Sequence, residues 1–507
     1  MGQIVETKIN RFDGGIENDP RDSRENSCRV VSNFDLTNPH KMTPYRSSED
    51  GDGGASTSQK QNFALALRTG TTYGLYALGV VSGTGRAEVL YKDLTTGATG
   101  DLDDNGWNSP TYGQSSTGAT NFNLFVFYHK TGFIYGARSG SQIWRFDPTN
   151  INTWADSHQA LTYTNIAQGL VHSKDDILYI PYDNKIAKND NGSWTVTALT
   201  LPTHFYITSI SEYGDYLAIA CAPLSGFGNS RVFLWDRNES VTTLSESIDW
   251  GSGVLQILEQ VDGELIGISR HSNVANFVDK VIFRKLVGNV AVKFTEIRGG
   301  INTTQLLIKK QKINNRLYFM MLVELGGATR DGVWSIGKNV TGEWVLTNER
   351  TSNNNTALDT SDAIREFYLL DDYMFISYQD GGTFALSKTD NAVLYSHNSD
   401  YESKKFNVGD ASLYKDLLEV TVTTEPLPSS GSPSVILAYR VDEDTSWTTI
   451  FTNTTATSIS RTAVASLPKA YKEIQFRIRV TGGAGAGVEP TGLMFKEEIV
   501  GTKYDTT

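Results

Sequence analysis

Short alternating segments dominate the hydrophobic pattern of the chain. Runs of four to eight residues rich in Val, Ile, Tyr, Phe and Thr are separated by clusters of Gly, Asn, Asp and Ser. Strands joined by tight turns have this pattern. The segment 361–370 (SDAIREFYLL) is the best helix candidate, and it fits a strand nearly as well. The chain is therefore predicted to be all-β.

A sequence pattern that predicts two strands recurs over the first 400 residues. Each copy has a strand, a tight polar turn and an alternating apolar strand, and a third strand ending at a polar turn follows. Some copies add a fourth segment, which holds Trp107, Trp154, Trp194 or Trp344. One apolar position of the second strand recurs about every 50 residues. It is occupied by Tyr76, Ile134, Leu178, Leu217, Leu265, Leu317 and Tyr373.

A repeat of this length with four short strands is typical of a β-propeller blade. One blade cannot bury both of its faces, whereas radial stacking buries the faces between neighbours. Seven copies predict about seven blades, with six or eight as alternatives. An array of two-sheet sandwiches is the competing all-β architecture.

The composition and the hydrophobic pattern of the sequence change on both sides of the repeats. After residue 400, the segments 435–441 (VILAYRV) and 473–480 (EIQFRIRV) alternate with period 2, which indicates a β-sandwich. The polar N-terminal part ends in 47–59 (SSEDGDGGASTSQ), whose composition is that of a linker or loop. We predict an N-terminal extension and linker over 1–58, a β-propeller over 59–400 and a β-sandwich over 401–507.

Composition excludes several classes of protein. Aromatic residues make up 11% of the 507 residues, too many for a disordered chain. No apolar run approaches the roughly 20 residues of a membrane-spanning helix. The polar N-terminus carries no secretory signal, so folding is expected to begin in a cytoplasm. The net charge of −12 argues against a protein that binds nucleic acid over its surface, because phosphate repels it.

Residues with catalytic or metal-binding chemistry are scattered. The seven histidines form no metal pair at close spacing: His40, His129, His158, His172, His204, His271 and His397. Cys28 and Cys221 have no metal-ligand spacing, and Cys221 lies in an apolar stretch as expected for a small buried thiol. There is no nucleophile elbow, phosphate loop or dinucleotide fingerprint. No catalytic, cofactor-binding or metal-binding residue is predicted, and no cofactor.

Acidic turns offer a weak metal signal. Asp101, Asp103 and Asn105 before Gly106 match the start of a calcium loop, but Tyr112 stands where the bidentate Glu belongs. A solvated turn is therefore favoured, and 442–444 (DED) is interpreted as a hairpin turn. Paired carboxylates for glycoside hydrolysis cannot be picked out among 57 acidic residues.

Two stretches, one near each end of the chain, carry distinctive residue patterns. At the N-terminus, 12–47 (FDGGIENDPRDSRENSCRVVSNFDLTNPHKMTPYRS) matches a "GGI … DPR … NFD … P-x-R" arrangement that precedes a β-rich body. The C-terminal stretch matches the pattern of a C-terminal module. This pattern has a strand pair with the motif Y-R-x-D followed by Trp, and a further strand with the motif I-Q-F-R-I. The matching residues there are Tyr439, Arg440, Asp442, Trp447, Ile474, Gln475, Phe476, Arg477 and Ile478.

Together these two stretches resemble structural proteins of tailed-bacteriophage tails. The resemblance implies a structural virion protein, a ring-forming subunit of nozzle or muzzle type around the DNA exit channel, without enzymatic activity. Expected partners are other copies in a homo-oligomeric ring, with a hexamer expected, and other tail, portal or adaptor proteins. Phage DNA would pass transiently and non-specifically, and no membrane segment is expected. The expected location is the virion tail, after assembly in the host cytoplasm. Alternatives are a tail-tip propeller that binds a host receptor or glycan, and a polysaccharide-degrading propeller enzyme.

Arg440, Arg477 and Arg479 fall on the polar faces of the predicted C-terminal strands. They are interpreted either as solvated residues of the sandwich, which is favoured, or as partners for acidic surfaces of neighbouring subunits. Trp447 and Trp344 are expected to pack in a core or at strand ends.

Overall fold

A computed structural model gives the structure of the protein. It describes residues 3–12, 14–16, 27–32, 34–36, 38–44, 48–50, 58–69, 72–81, 86–93, 114–118, 122–138, 142–150, 154–225, 228–239, 246–271, 280–298, 307–321, 323–325, 328–330, 332–350, 363–370, 373–380, 383–389, 399–407, 412–456, 470–482 and 487–501.

Five short strands at the N-terminus include two that pair with each other. The strands are β1 (Gln3–Ile9), β2 (Cys28–Ser32), β3 (Phe34–Asp35), β4 (Thr43–Pro44) and β5 (Ser48–Asp50). β3 and β4 form a two-stranded antiparallel sheet.

The described residues then form seven four-stranded sheets, and in the first five the strands follow one another in sequence order. The first sheet contains β6 (Ser58–Thr69), β7 (Thr72–Val81), β8 (Arg86–Asp93) and β9 (Gln114–Gly118). The second contains β10 (Phe122–Tyr128), β11 (Phe133–Arg138), β12 (Gln142–Phe146) and β13 (Trp154–Ala160). The third contains β14 (Leu170–His172), β15 (Ile177–Tyr182), β16 (Lys185–Asp190) and β17 (Ser193–Thr200).

The fourth and fifth sheets repeat the arrangement. The fourth contains β18 (Phe205–Tyr213), β19 (Tyr216–Pro223), β20 (Asn229–Trp235) and β21 (Glu246–Ser252). The fifth contains β22 (Val254–Val261), β23 (Glu264–His271), β24 (Lys280–Val287) and β25 (Val290–Arg298).

The last two sheets depart from this simple order. The sixth contains β26 (Leu307–Ile313), β27 (Arg316–Met320), β30 (Val333–Lys338) and β31 (Trp344–Arg350), with a small sheet of β28 (Val323–Leu325) and β29 (Ala328–Arg330) in between. The seventh contains β32 (Ala363–Leu370), β33 (Tyr373–Asp380) and β34 (Thr383–Thr389). Its fourth strand is β5, which lies more than 300 residues earlier in the chain.

The seven sheets surround a common axis. The first strands of most successive sheets lie side by side: β6 contacts β10, β14 contacts β18, β18 contacts β22, β22 contacts β26 and β26 contacts β32. The second and third sheets pack through Tyr135 and Leu178 of their second strands. β32 also contacts β6, and Leu75 of the first sheet packs with Phe375 of the seventh. Because the last sheet returns to the first, the sheets form a closed circle. The predicted all-β fold with a propeller of about seven blades is confirmed.

Each of the seven landmark positions lies on the second strand of a sheet, and the ambiguous segment 361–370 contains strand β32 rather than a helix. Apolar layers fill the space between neighbouring sheets. Between the third and fourth sheets, for example, Tyr179 and Ile186 pack with Leu217 and Trp235. The stacking of sheets therefore buries both faces of the inner strands.

The C-terminal residues form a sandwich of two sheets together with N-terminal strands. The strands are β35 (Ser399–Ser403), β36 (Tyr414–Thr424), β37 (Ser434–Val441), β38 (Thr448–Asn453), β39 (Ile474–Thr481) and β40 (Pro490–Gly501). One sheet has the order β2-β35-β39-β37-β38, and the other has the order β1-β40-β36. Phe476 and Phe495, one from each sheet, have ring centroids 4.9 Å apart and form the core between them.

Contacts divide the chain into two units that are not consecutive in sequence. The first unit holds Met1–Ser48, Glu324–Asp359 and Thr389–Thr507, and the second holds Glu49–Val323 and Thr360–Lys388. The domain boundaries expected at residues 58 and 400 stay predictions. No helix in the described ranges is long and apolar enough to cross a membrane.

Candidate functional site

The described residues with candidate metal chemistry do not come together as a metal site. Within the described ranges, no group of three or more His, Cys, Asp and Glu side chains is placed to hold a metal ion. The calcium-like segment 101–106, Tyr112, Trp107 and His397 lie outside the described residues. Cys28 and Cys221 are free and buried. Burial raises the pKa of the Cys221 thiol well above its ordinary value, so this thiol is a packing residue.

His172 belongs to a buried polar cluster at the turn between the first two strands of the third sheet. The Arg237 guanidinium contacts both nitrogens of the His172 ring, and its Nε lies 2.9 Å from Asp175 Oδ2. Tyr179 donates to the same Asp175 carboxylate at 3.0 Å, and burial raises the pKa of its hydroxyl. Arg237 follows the third strand of the fourth sheet, so the cluster connects two neighbouring sheets.

A second polar cluster lies among the first strands, close to the propeller axis. Lys310 Nζ on β26 donates to the carbonyl oxygens of Ile210, 2.7 Å away, and Leu258, 2.5 Å away. Its charge is balanced by Glu259 Oε2 at 2.8 Å. Ser211 donates to the other oxygen of Glu259 at 3.1 Å. One ammonium group thus connects the fourth, fifth and sixth sheets.

The N-terminal residues with the phage-like pattern are buried in the first unit. The Phe12 ring is fully buried and meets Tyr401 edge-on, with centroids 5.4 Å apart. Ile16 donates its backbone N–H to Leu346 of β31 at 2.8 Å, and Cys28 donates to the Gly15 carbonyl at 2.9 Å. These contacts fix the N-terminal segment against β31 and β35.

Polar residues of the phage-like C-terminal pattern and two carboxylates of β35 form a largely buried charged layer on one side of the sheet, which we call the arginine face. It consists of Asp400, Glu402, Arg440, Trp447, Gln475, Arg477 and Arg479. Neighbouring side chains of a strand point to opposite faces of a sheet, so β39 directs its arginines to one face and Phe476 to the core. The strand register places Asp400 opposite Arg479 and Glu402 opposite Arg477.

Two of the three arginines have partners within the arginine face. Arg479 binds Asp400 with both ends of its fork, at 2.7 and 3.0 Å, and this contact raises the pKa of Arg479. Arg440 donates to Gln475 at 2.8 Å and lies 3.9 Å from Glu402 Oε2. The favoured interpretation of these arginines as solvated is wrong for Arg440, which is 8% exposed.

Arg477 is different from the other two. Its guanidinium carbon lies 4.9 Å from the centroid of the Trp447 ring, and the Arg440 guanidinium carbon lies 4.4 Å from the same centroid. Trp447 therefore contacts both cations through its ring. The Nε atom of Arg477 is buried and has no hydrogen-bond partner among the described residues. Burial and then the charge of Arg479 lower the pKa of Arg477.

Sequence reasoning identified the arginines and Trp447 but missed the Lys310 and His172 clusters. Three lysines and a glutamine within β26 (LIKKQKI) were a usable signal, because a first strand of a propeller faces a crowded axis. The contacts of His172 had no such signal, since Arg237 lies 65 residues away.

Comparisons with known proteins give no family for this chain. No protein-family model and no curated protein matches it. An exo-β-1,3-galactanase from Phanerochaete chrysosporium, solved with galactose, is 9% identical with a TM-score of 0.30, covering 88% of this chain and 100% of that one. A Lactobacillus plantarum protein is 10% identical with a TM-score of 0.40, covering 70% and 94%. Similarity this low carries no argument about function.

Proposed function

We propose that the protein is a structural component of a phage tail, a ring-forming subunit of nozzle or muzzle type around the DNA exit channel. One observation carries the proposal. The two stretches that resemble phage tail proteins fold together, since β2 of the first stretch joins the sheet of β35, β39, β37 and β38. The resemblance therefore concerns one folded module instead of two unrelated segments.

The polar cluster around Lys310, close to the propeller axis, supports a channel built from several copies of the chain. Lys310 reaches carbonyl groups on two other first strands, so side chains fill the space between these strands at that level. The major groove of a DNA duplex alone is about 12 Å wide, so a duplex is too wide to pass between strands that one lysine side chain bridges. DNA would therefore pass through the centre of a ring of copies, and the chain's net charge of −12 would keep phosphate from adhering to its walls.

Imaging of the purified full-length chain by electron cryomicroscopy, combined with native mass spectrometry, tests this proposal. We expect a closed ring with cyclic symmetry, with six copies as the expected number. Mass spectrometry of purified phage particles whose genome encodes the chain should find it in the tail. A chain that stays monomeric at about 100 µM and is absent from particles contradicts the proposal.

A second candidate function is binding of a host receptor or glycan by the propeller. Tyr73 and Tyr216 are 47% and 37% exposed, and both stand at the start of the second strand of a sheet. Exposed aromatic rings stack on sugar rings as well as on protein surfaces. A glycan array would show selective binding that the double variant Tyr73→Ala/Tyr216→Ala loses, and an array without signal removes this candidate.

A further inference from the structure

A group of aromatic and basic side chains lies between the second and third sheets of the propeller. It consists of Phe133, Tyr135, Arg145, His158 and Trp194, and we call it the Arg145 cluster. Tyr135 of β11 stands opposite Arg145 of β12 in the strand register. The Tyr135 ring is 5.9 Å from the His158 ring of β13 and 5.9 Å from the Trp194 ring of β17. Four strands of two neighbouring sheets therefore bring these five side chains together.

Arg145 has no anionic partner within the described part of the chain. Its guanidinium carbon lies 4.4 Å from the centroid of the Phe133 ring, and its Nε atom is buried without a hydrogen-bond partner. Among the described residues, no hydrogen bond or ion pair engages this guanidinium. The contact with Phe133 limits the orientations of the planar fork, whose N–H donors fit a carboxylate in a bidentate geometry. The donors of Arg145 are thus available to a carboxylate ligand.

His158 adds a neutral donor to the cluster. Trp194 donates its indole N–H to His158 Nε2 at 3.4 Å, so the neutral imidazole carries its proton on Nδ1. Burial and then the charge of Arg145 lower the pKa of His158 below its ordinary 6.5, which keeps the ring neutral at pH 7. The five residues of the cluster therefore carry one positive charge, on Arg145, and one neutral donor at His158 Nδ1.

The single charge and the aromatic rings together favour a carboxylated sugar as the ligand. One guanidinium balances the single negative charge of a carboxylate, whereas a phosphate monoester carries about 1.5 to 2 negative charges at pH 7. Trp194 is partly exposed, and an exposed indole face packs against the apolar face of a sugar ring. Aromatic walls with a few placed polar groups are typical of small-molecule sites, and the hydroxyl groups of a sugar accept hydrogen bonds from a neutral donor.

We propose that the Arg145 cluster binds a carboxylated sugar unit of a polysaccharide. Arg145 holds the carboxylate with its fork, Trp194 packs against the sugar ring, and His158 donates from Nδ1 to a hydroxyl group. The inference goes beyond the proposed function, because the site lies between two sheets of one propeller and needs no second copy of the chain.

Saturation-transfer difference NMR on the full-length chain tests the site with three probes. They are tetragalacturonate, a hyaluronan tetrasaccharide and sialyllactose, each compared with its methyl ester. We expect at least one acid to bind with a dissociation constant of about 1 mM or tighter. Its methyl ester, in which the carboxylate has lost its charge, should bind at least about tenfold more weakly. Acetate and inorganic phosphate serve as competitors, and neither should displace the sugar at an equal concentration.

Charge removal at position 145 shows whether the sugar lies at this cluster. Arg145→Gln should weaken binding of the acidic probe by about tenfold or more, because the carboxylate loses a charged hydrogen-bond donor. Arg231→Gln is the matched control and should bind as the wild type does. Like Arg145, Arg231 is a half-buried arginine on the third strand of a sheet, but it donates to Ser247 at 2.9 Å.

Two further variants keep the test decisive if Arg145→Gln fails to fold. Arg145→Lys keeps the charge and loses the planar fork, so it should bind the acidic probe more weakly than the wild type. Trp194→Ala removes the stacking surface and the donor to His158, and it should also weaken binding. Near-ultraviolet circular dichroism checks the fold of each variant.

The outcomes separate the inference from the proposed function. The inference is overturned if none of the three acids binds below about 10 mM, if the methyl esters bind equally well, or if acetate or phosphate displaces the sugar at an equal concentration. Unchanged binding by the folded Arg145 variants, or an equal loss in Arg231→Gln, also overturns it. Each of these results leaves the proposed ring standing, whereas a chain that binds the acidic sugar and forms no ring contradicts the proposed function alone.

Discussion

Gly15 occupies a position that only glycine fits. Its φ is +70°, and a Cβ at this residue would lie 2.5 Å from Val345 Cγ1 and 2.9 Å from the Leu346 carbonyl oxygen. Residues with a side chain rarely adopt this backbone conformation, and here the backbone of β31 also blocks the space. The second glycine of the FDGG pattern is thus explained by the close approach of the N-terminal segment to β31.

We expect Gly15→Ala to destabilise the first unit by about 2–5 kcal/mol, since the cost of a left-handed conformation adds to the cost of overpacking. Gly132→Ala is the matched control, because Gly132 has nearly the same φ of +71° and nothing within 4 Å of the added Cβ. Gly132→Ala should lower the free energy of unfolding by only about 1–2 kcal/mol. Equal losses in urea unfolding of the two variants would contradict the explanation.

Glu497 is a buried carboxyl group in the three-stranded sheet. Tyr471 donates to its Oε1 at 2.6 Å, while its Oε2 is buried and has no hydrogen-bond partner among the described residues. Burial raises the pKa of Glu497 above its ordinary 4.5, and the contacts with Tyr471 and Lys415 oppose the shift only in part. The folded chain therefore holds this proton at pH values where the unfolded chain has released it.

The sign of the pH dependence follows from this difference. Above pH 4.5 the folded state binds more protons than the unfolded state, so the free energy of unfolding should fall as pH rises through the raised pKa. The variant Glu497→Gln should not show this fall. At neutral pH its free energy of unfolding should exceed that of the wild type by about 1.4 kcal/mol for each pH unit between the pKa of Glu497 in the unfolded chain and its pKa in the folded chain. Chemical denaturation between pH 4 and 8 measures it, with Glu443→Gln at an exposed turn as control. Parallel curves for Glu497→Gln and wild type would disprove the effect.

At the scale of elements, the propeller is closed by a strand from the other end of its sequence. β5 supplies the fourth strand of the seventh sheet and pairs with β34. The seventh sheet contains strands from both ends of the propeller sequence. The circle of sheets therefore cannot open without breaking the pairing of β5 with β34. The segment 47–59, expected to be a linker or loop, thus contains the structural strand β5 and the first residues of β6.

Proline substitution tests the pairing of β5. Successive N–H groups of a strand point to opposite edges, so only one of Glu49 and Asp50 directs its N–H toward β34. Of the two variants Glu49→Pro and Asp50→Pro, one should speed amide hydrogen exchange in β34 by about tenfold or more, and the other should have a smaller effect. β16 in the third sheet serves as the internal reference. Unchanged exchange of β34 in both variants would show that β5 does not hold the seventh sheet.

At the scale of the whole molecule, the net charge predicts weak binding of DNA. A net charge of −12 offers few cations to replace the counter-ions of a duplex. The protein is expected to bind duplex DNA more weakly than about 10⁻⁴ M at 150 mM salt, the weak end of non-specific binding. Fluorescence anisotropy with a labelled 30-base-pair duplex measures this, with a basic protein as positive control. Micromolar binding that weakens steeply with salt would contradict a channel wall that DNA slides past.

The sequence by itself determined the class of fold and the repeat. Period-2 alternation and turn residues are local signals, so the second strands with Leu178, Leu217 and Leu265 are visible without any knowledge of their neighbours. The spacing of the repeats then predicts radial stacking, because a single four-stranded sheet leaves both faces unburied.

The tertiary structure alone decided which distant segments meet. β5 joins β34, β2 joins β35, and Lys310 reaches Ile210 across 100 residues, and none of these pairings leaves a local pattern in the chain. The arginine face shows the same limit, since alternation marks Arg440 and Arg477 as polar positions in the same way whether water, a carboxylate or an indole ring faces them. The long-range packing of strands decides which groups surround a side chain. The free energy of a charged side chain depends on these surrounding groups more than on the sequence of the strand that carries it.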